Sequence, residues 1–489
     1  MQELVTRPAA PNPGGILPTS FLLLACLAAA VGCSRQVAQE NPREGTGIRA
    51  GAAERDVTPP VGYEITHWER LSQGVRDPLF VRCLYLTDDQ GEQVAIICTD
   101  FIGASIETCD QLRDEIARKT GIHNTLFNCS HSHSSVWLGP RGRPDNPSDL
   151  DGAWNQQTHD AILATVQEAK AKAQPVTLAA SRAAAQVGFN RRLLNKENGH
   201  VYMAVNRDGP VVPWVNVLTA RSPQDGKLVA VLFEHAAHPV IVPNGSALIS
   251  ADYPGAAVKR VREKLGEEVI TLFGQGCGGN INGFPLRTTH ENAEAAGRKL
   301  GNAVLAAIET EEPIEAEHLK IKSAQSFLPT HKLPSKEVWE KLAEKHKEEP
   351  HRMQQLRGIK QLLDRGAQPL PRRFDAYAVM LGDEWCLVTM PYEMFCQYEL
   401  WVDENAPFEH NMTFGYTNGG RDYIAVDEAW ALDEKAGYEA AALPSWAGYG
   451  TRTTHFNPPA VGSEAIIKQT VSSLWPEGEA NSATDKPAE

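Results

Sequence analysis

In the stretch Asn124-Thr125-Leu126-Phe127-Asn128-Cys129-Ser130-His131-Ser132-His133-Ser134-Ser135 a short apolar run gives way abruptly to hydroxyls and imidazoles. Its first six residues have the length and the Thr, Leu and Phe content of a strand, with no Gly or Pro among them. Residues two apart on an extended chain face the same side, so His131 and His133 are expected to project together from the strand's C-terminal end. That end is where α/β domains gather their ligands, and two neighbouring imidazoles suit a metal ion. On these residues alone, a pair of hydrogen-bonded surface histidines is an equal reading.

Outward from this stretch, residues 93–98 read as a strand, 106–119 as a helix and 158–173 as a second helix. The rhythm returns further on, with strands at 227–233 and 269–273 and helices at 254–265 and 291–308. Residues 376–381 and 385–389 flank Gly382-Asp383 and read as a hairpin. Such alternation specifies an α/β fold, expected here as layered β-sheets with flanking helices in a single large catalytic domain over residues 48–475. Residues 335–365 are charged, helical in pattern and interrupted by Pro350, as a solvated surface insertion is. No internal repeat is evident.

Of the 489 residues 42% are hydrophobic, enough for a sizeable core. The net charge of -14, from 61 acidic and 47 basic residues, excludes a surface built to neutralise phosphates, so nucleic acid is not an expected partner. Residues 16–31 form an apolar run broken only by Pro18, Thr19 and Ser20, the length of an export signal rather than of a membrane span. The run ends in Ala30-Val31-Gly32-Cys33, which resembles a bacterial lipobox. Residues 1–33 therefore read as a signal peptide, Cys33 as a lipid anchor to a membrane surface, and the polar residues 34–47 as a linker. The expected location is the periplasm or cell envelope. Residues 476–489 have the composition of a disordered tail. Of the cysteines that remain, most lie in apolar runs, where cysteine behaves as a small hydrophobe, and no CxxC pattern or disulfide framework is present.

Four further segments carry chemistry. Phe233-Glu234-His235-Ala236-Ala237-His238-Pro239 ends a strand, and Pro239 holds its predecessor out of helical geometry at the rim. Gly274-Gln275-Gly276-Cys277-Gly278-Gly279-Asn280-Ile281-Asn282-Gly283 follows another strand, and its glycines permit close backbone approach to a ligand. Its spacing matches neither of the common nucleotide-binding loops. Glu393, in Met390-Pro391-Tyr392-Glu393-Met394-Phe395, is a carboxylate among apolar neighbours and needs a metal or a salt-bridge partner. Asn418-Gly419-Gly420-Arg421-Asp422-Tyr423-Ile424 is the last.

Taken in order, these five segments resemble the neutral/alkaline non-lysosomal ceramidases. Ala53-Glu54-Arg55-Asp56-Val57-Thr58-Pro59-Pro60 is similar to the start of that family's catalytic domain, and residues 129–134 are similar to its histidine motif. The resemblance implies a zinc-dependent amidohydrolase that cleaves an N-acyl bond, with ceramide or a related sphingolipid as substrate. It places zinc at His131, His238, Glu393 and Tyr423, with His133 beside the metal as proton shuttle or oxyanion donor. It also implies that Arg191, in Phe189-Asn190-Arg191-Arg192, holds a substrate polar group or charge, and that Tyr438 is a second active-site tyrosine.

Two departures stand out. Asn282 occupies the position of the family's active-site serine, and the chain ends where the family's immunoglobulin-like C-terminal domain would begin. An amide cannot act as nucleophile, but its NH₂ can donate to an oxyanion, so water activated by the metal is the expected nucleophile. A zinc hydrolase of another amide or ester, and an anchored binding protein without turnover, both stay open.

Overall fold

The stretch 124–129 forms the strand Asn124–Cys129, which lies parallel to Gln93–Thr99 with the helix Ile106–Thr120 crossing between them. Ser105 Oγ caps that helix by accepting from Thr108 N, and Gly121, at φ 74°, ends it in the left-handed conformation. Apart from their first residues both strands are buried throughout, which is why they read as unbroken apolar runs. Phe80–Thr87 and Arg49–Asp56 extend the sheet antiparallel on the other side, and the helix Asp151–Ala171 packs across these two. The computed structural model describes residues 47–65, 70–139, 151–366, 370–437, 439–441 and 459–476. The signal peptide with Cys33, the linker before residue 47, Tyr438 and the tail beyond residue 476 lie outside them.

The same unit recurs twice. Thr177–Ala184, Trp214–Arg221 and Leu228–His235 are antiparallel neighbours, and Ile270–Gln275 joins parallel to the third. The helix Asp252–Leu265 makes the crossover, and His290–Ile308 packs across the first two strands. Leu319–Leu328, Arg372–Leu381 and Trp385–Thr389 are antiparallel in turn, with His410–Phe414 parallel to the last. Here Cys396–Asn405 is the crossover helix and Ser463–Ser472 the covering one. Three successive strands, a helix, a parallel fourth strand and a covering helix are thus repeated three times, although no repeat shows in the sequence.

The three sheets share one core. Side chains alternate along a strand, and one set from each sheet points to a common centre. Leu84, Ile96 and Leu126 come from the first, Leu218, Leu232 and Leu272 from the second, Val379, Leu387 and Met412 from the third. The opposite set packs under helices, as Ile97 and Phe127 do with Leu112 and Ile116. Val231 and Phe233 pack likewise with Val258 and Leu300, and Ala378 and Val388 with Tyr398 and Ile467. The fold is therefore α/β, with sheets layered between a central core and an outer shell of helices.

Longer segments between the first and second strands of a unit decorate this frame. In the third unit they form the helices Lys336–Lys345 and Pro350–Asp364, so Pro350 begins a helix rather than interrupting one. In the second unit they form a ribbon, Gly188–Leu194 with Val201–Asn206, that also pairs with Ile281–Gly283. All seven described cysteines are buried and free. Among the described residues no helix is long and apolar enough to cross a membrane.

Beneath the glycine-rich turn, two carboxyl groups are buried where the second and third units meet. Glu234 accepts from Asn216 Nδ2 at 2.8 Å, and Glu399, on the helix Cys396–Asn405, accepts from Cys277 N at 2.7 Å. Burial pushes Glu234 up to about 7, and burial with the nearby Glu234 charge holds Glu399 well above the usual carboxylate range. The pair therefore keeps a proton near neutrality. In the unfolded chain both groups titrate near about 4.3. A folded pKa above the unfolded one gives stability that is complete below about pH 4.3 and lost as pH rises through about 7. Denaturant stability measured in chelator should accordingly fall between about pH 5 and 8. Glu234→Gln, which removes one titrating group and the charge that helps to raise Glu399, should reduce that slope, and an unchanged slope in the variant would refute the coupling of the pair.

Candidate metal centre

His131 follows the fourth strand of the first unit with φ 67°, a left-handed conformation that is costly for a residue with a side chain. Its backbone N donates to Phe101 O at 3.0 Å, and its Nδ1 lies 2.6 Å from Ile102 O. His238 follows the third strand of the second unit and is held on both sides by the strand Ile281–Gly283. His238 N donates to Ile281 O at 2.9 Å, and Gly283 N donates to His238 O at 3.0 Å. Its Nδ1 lies 2.6 Å from Gly278 O. A carbonyl oxygen only accepts, so in each ring Nδ1 carries the proton and the neutral Nε2 presents a lone pair.

Those lone pairs meet Glu393, which follows the third strand of the third unit. Its Oε2 is 3.3 Å from His131 Nε2 and 3.0 Å from His238 Nε2. His133 Nε2 lies 3.2 Å from His131 Nε2, and the three imidazoles offer ring nitrogens within 4.8 Å of one another. Burial, reinforced by the charge of Arg191, pushes His238 down to about 4, so it is neutral at pH 7. Lone pairs and an anionic oxygen converging in a dry site repel unless a cation lies among them. Imidazole nitrogens with one carboxylate are the donors zinc takes, and the carbonyls behind both rings fix the tautomer that a metal requires.

The glycines of the turn at 274–283 have a local purpose. A Cβ on Gly279 would stand 2.5 Å from Glu393 O, and one on Gly276 would stand 2.3 Å from Glu234 Oε1. Gly279 N donates to Met394 O at 2.7 Å. Bare backbone therefore lets this turn lie directly against the segment carrying Glu393 while Gly278 O orients His238.

The remaining expected residues lie alongside. Tyr423 is buried, stacks on His238 at 6.2 Å between ring centroids, and has the Arg191 guanidinium over its ring at 5.1 Å. Arg191 is itself buried, with Nε donating to Glu439 Oε1 at 3.0 Å and NH1 donating to Asn282 Oδ1 at 2.9 Å. Asn282 pairs with His238 through the backbone. The structure thus brings His131, His133, His238 and Glu393 together, with Tyr423, Arg191 and Asn282 on one side of them.

Sequence reasoning passed over Tyr416 and Glu439. The Tyr416 ring is 4.6 Å from that of His131 and its OH is 3.4 Å from His238 Nδ1. It begins immediately beyond the strand His410–Phe414, which the apolar pattern did not reveal. Glu439 adjoins Tyr438, and its only own signal was a lone carboxylate beside Ala436, Gly437, Ala440 and Ala441.

No family model matches the chain, and no curated protein matches it in sequence. Its fold does match. A crystal structure of neutral ceramidase from Pseudomonas aeruginosa aligns with 88% of this chain over 74% of its own length, at 15% identity and a TM-score of 0.63. A structure described as ceramidase complexed with C2 aligns with 87% of this chain over 74% of its own, again at 15% identity and 0.63. The architecture of three sheets around one core, with its converging loops, is accordingly a ceramidase-like fold.

Proposed function

We propose that the chain is an exported, zinc-dependent hydrolase of an amide N-acyl bond, with ceramide or a related sphingolipid as its substrate class. The observation that carries this reading is the convergence of His131 and His238 lone pairs on the Glu393 carboxylate, within a ceramidase-like fold. These three residues would hold the zinc, with Tyr423 completing the set beside His238. Bound there, zinc supplies Lewis acidity and makes water nucleophilic at neutral pH.

The chain's own groups divide the remaining work. His133 is less buried than the other two imidazoles, so it can exchange protons with solvent and carry one at Nε2 to the leaving amine. A guanidinium only donates, so the Asn282 atom facing Arg191 is the carbonyl oxygen and Nδ2 is left as the donor for a developing oxyanion. The resemblance favours a second substrate class as well, since it puts Asn282 in place of a serine, which fits hydrolysis of a different amide or an ester by the same residues.

The centre draws on residues more than a hundred positions apart. His238→Ala is expected to lower bound zinc as much as His131→Ala does, measured by metal analysis of the purified variants. Stoichiometric zinc in both would exclude the site.

The donor role of Asn282 has its own test. Asn282→Ala should lower turnover of the best N-acyl substrate by about 10²-fold or more with zinc retained. Asn282→Asp should be worse, because a carboxylate repels developing negative charge. Wild-type rates in both would reduce Asn282 to a turn residue.

Export and anchoring are proposed from residues 16–33. Produced in a bacterium with its own leader, the protein should partition to membranes, and Cys33→Ser should abolish lipoprotein processing. An uncleaved chain free in the cytoplasm would end this part of the proposal.

A further inference from the structure

We infer that Glu439 sets the kind of head group the site accepts, by occupying the guanidinium edge of Arg191 that would otherwise grip a substrate carboxylate. The inference rests on the hydrolase reading above and assigns a specificity role within that site.

Glu439 is buried, its side chain only 2% exposed, and both its oxygens are used. Oε1 accepts from Arg191 Nε at 3.0 Å and Oε2 accepts from Arg192 NH1 at 2.8 Å. Successive residues of a strand normally face opposite ways. Here the pairing of Gly188–Leu194 with Val201–Asn206 shifts register between Asn190 and Arg192, and the irregularity lets both arginines reach one carboxylate.

Guanidinium recognises carboxylate or phosphate through two parallel N–H groups on one edge. The edge containing Nε is closed by Glu439, and the edge containing NH1 is closed by Asn282 Oδ1 at 2.9 Å. Tyr423 covers a face of the same group, at 5.1 Å. Arg191 therefore acts as a fixed strut between Glu439 and Asn282. It sets the Asn282 amide so that Nδ2 faces away from it, and it offers no fork to an acidic head group. The site then discriminates in favour of N-acyl amino alcohols, whose hydroxyls ask for single hydrogen bonds, and against N-acyl amino acids. Without Glu439 the Nε edge opens beside Asn282 and the metal donors, and the discrimination relaxes.

The test uses zinc-loaded full-length protein with two synthetic compounds of identical acyl chain, an N-acyl amino alcohol and an N-acyl amino acid. Binding of each is measured alongside turnover, with zinc content and thermal stability as checks on folding. Wild type should favour the alcohol. Glu439→Ala, which empties the Nε edge, should shift the ratio of affinities, and of kcat/KM, towards the amino acid by at least about tenfold. Glu439→Gln, which keeps an acceptor of the same size on that edge, should retain the wild-type preference. A folded, zinc-bound Glu439→Ala protein with the wild-type ratio overturns the inference. If Glu439→Ala does not fold, Asn282→Ala opens the other edge and must tighten amino acid binding, and its failure to do so overturns the inference equally. Should wild type hydrolyse neither compound, the proposed reaction fails, while the binding ratios still decide whether Glu439 gates the edge.

Discussion

Three strands that end together in a dry centre leave backbone groups that water cannot reach, and the carboxamide of Asn128 resolves this. Asn128 is wholly buried. Its Nδ2 donates to Gly415 O at 2.8 Å and its Oδ1 accepts from Gln275 N at 2.9 Å, so one side chain ties the first unit to the strand ends of the other two. Around it Gly415 N donates to Gln275 O and Asn418 N to Phe127 O. A buried amide is costly unless its groups are paired, and here they are used to hold the three units in register. The segments carrying His131, the glycine turn and Tyr416 depart from this tie. Its tightness shows in the left-handed backbone of His131, just after Asn128, of Tyr392, next to Glu393, and of Tyr416 and Asn418, which flank the Thr417 that bridges to Asn128.

The centre is consequently supported in tiers. At the top are the imidazoles and Glu393, behind them the carbonyls of Ile102 and Gly278, then the glycine turn, and beneath it Glu234 with Glu399. Each tier joins units that are distant in sequence, so the geometry of the donors depends on the closure of the whole frame. A site carried on such supports holds its side chains more closely than one on free loops does. It also explains why Gly274, Gly276 and Gly279 lie against neighbouring chain segments.

Much of the frame was legible because of how it is buried. The third strand, crossover helix and fourth strand of the first two units, and the covering helix of the second, were read with small boundary errors, since parallel strands covered on both faces are continuous apolar runs and these helices carry clear stripes, whereas the covering helix Asp151–Ala171 has little stripe and begins well before the expected residue 158. The first strands were missed for a physical reason. Arg49–Asp56 and Thr177–Ala184 put alanines such as Ala50, Ala52 and Ala180 towards the crowded centre, and alanine-rich segments have no strand signature. The helix Cys396–Asn405 escaped because it buries Glu399 along with Cys396, Tyr398 and Val402, which erases its stripe. At the site, residue type and strand ends singled out His131, His133, His238 and Glu393 as candidates, and only the resemblance gave them metal-binding roles. Glu439 and Asn128 act through contacts made only after folding, and no local pattern announces them.

The shared centre has a consequence for how the chain comes to be made. The inner face of the first sheet, with Leu84, Ile96 and Leu126, is complete once residue 129 has been synthesised, yet its partners Leu387, Met412 and Phe414 come more than 250 residues later. At roughly 5–20 residues per second that interval is on the order of tens of seconds. Throughout it a nascent chain bearing one or two finished sheets displays a broad greasy surface with nothing to cover it. Such a chain completes its central core only once the strands of the third sheet, ending at Phe414, are available.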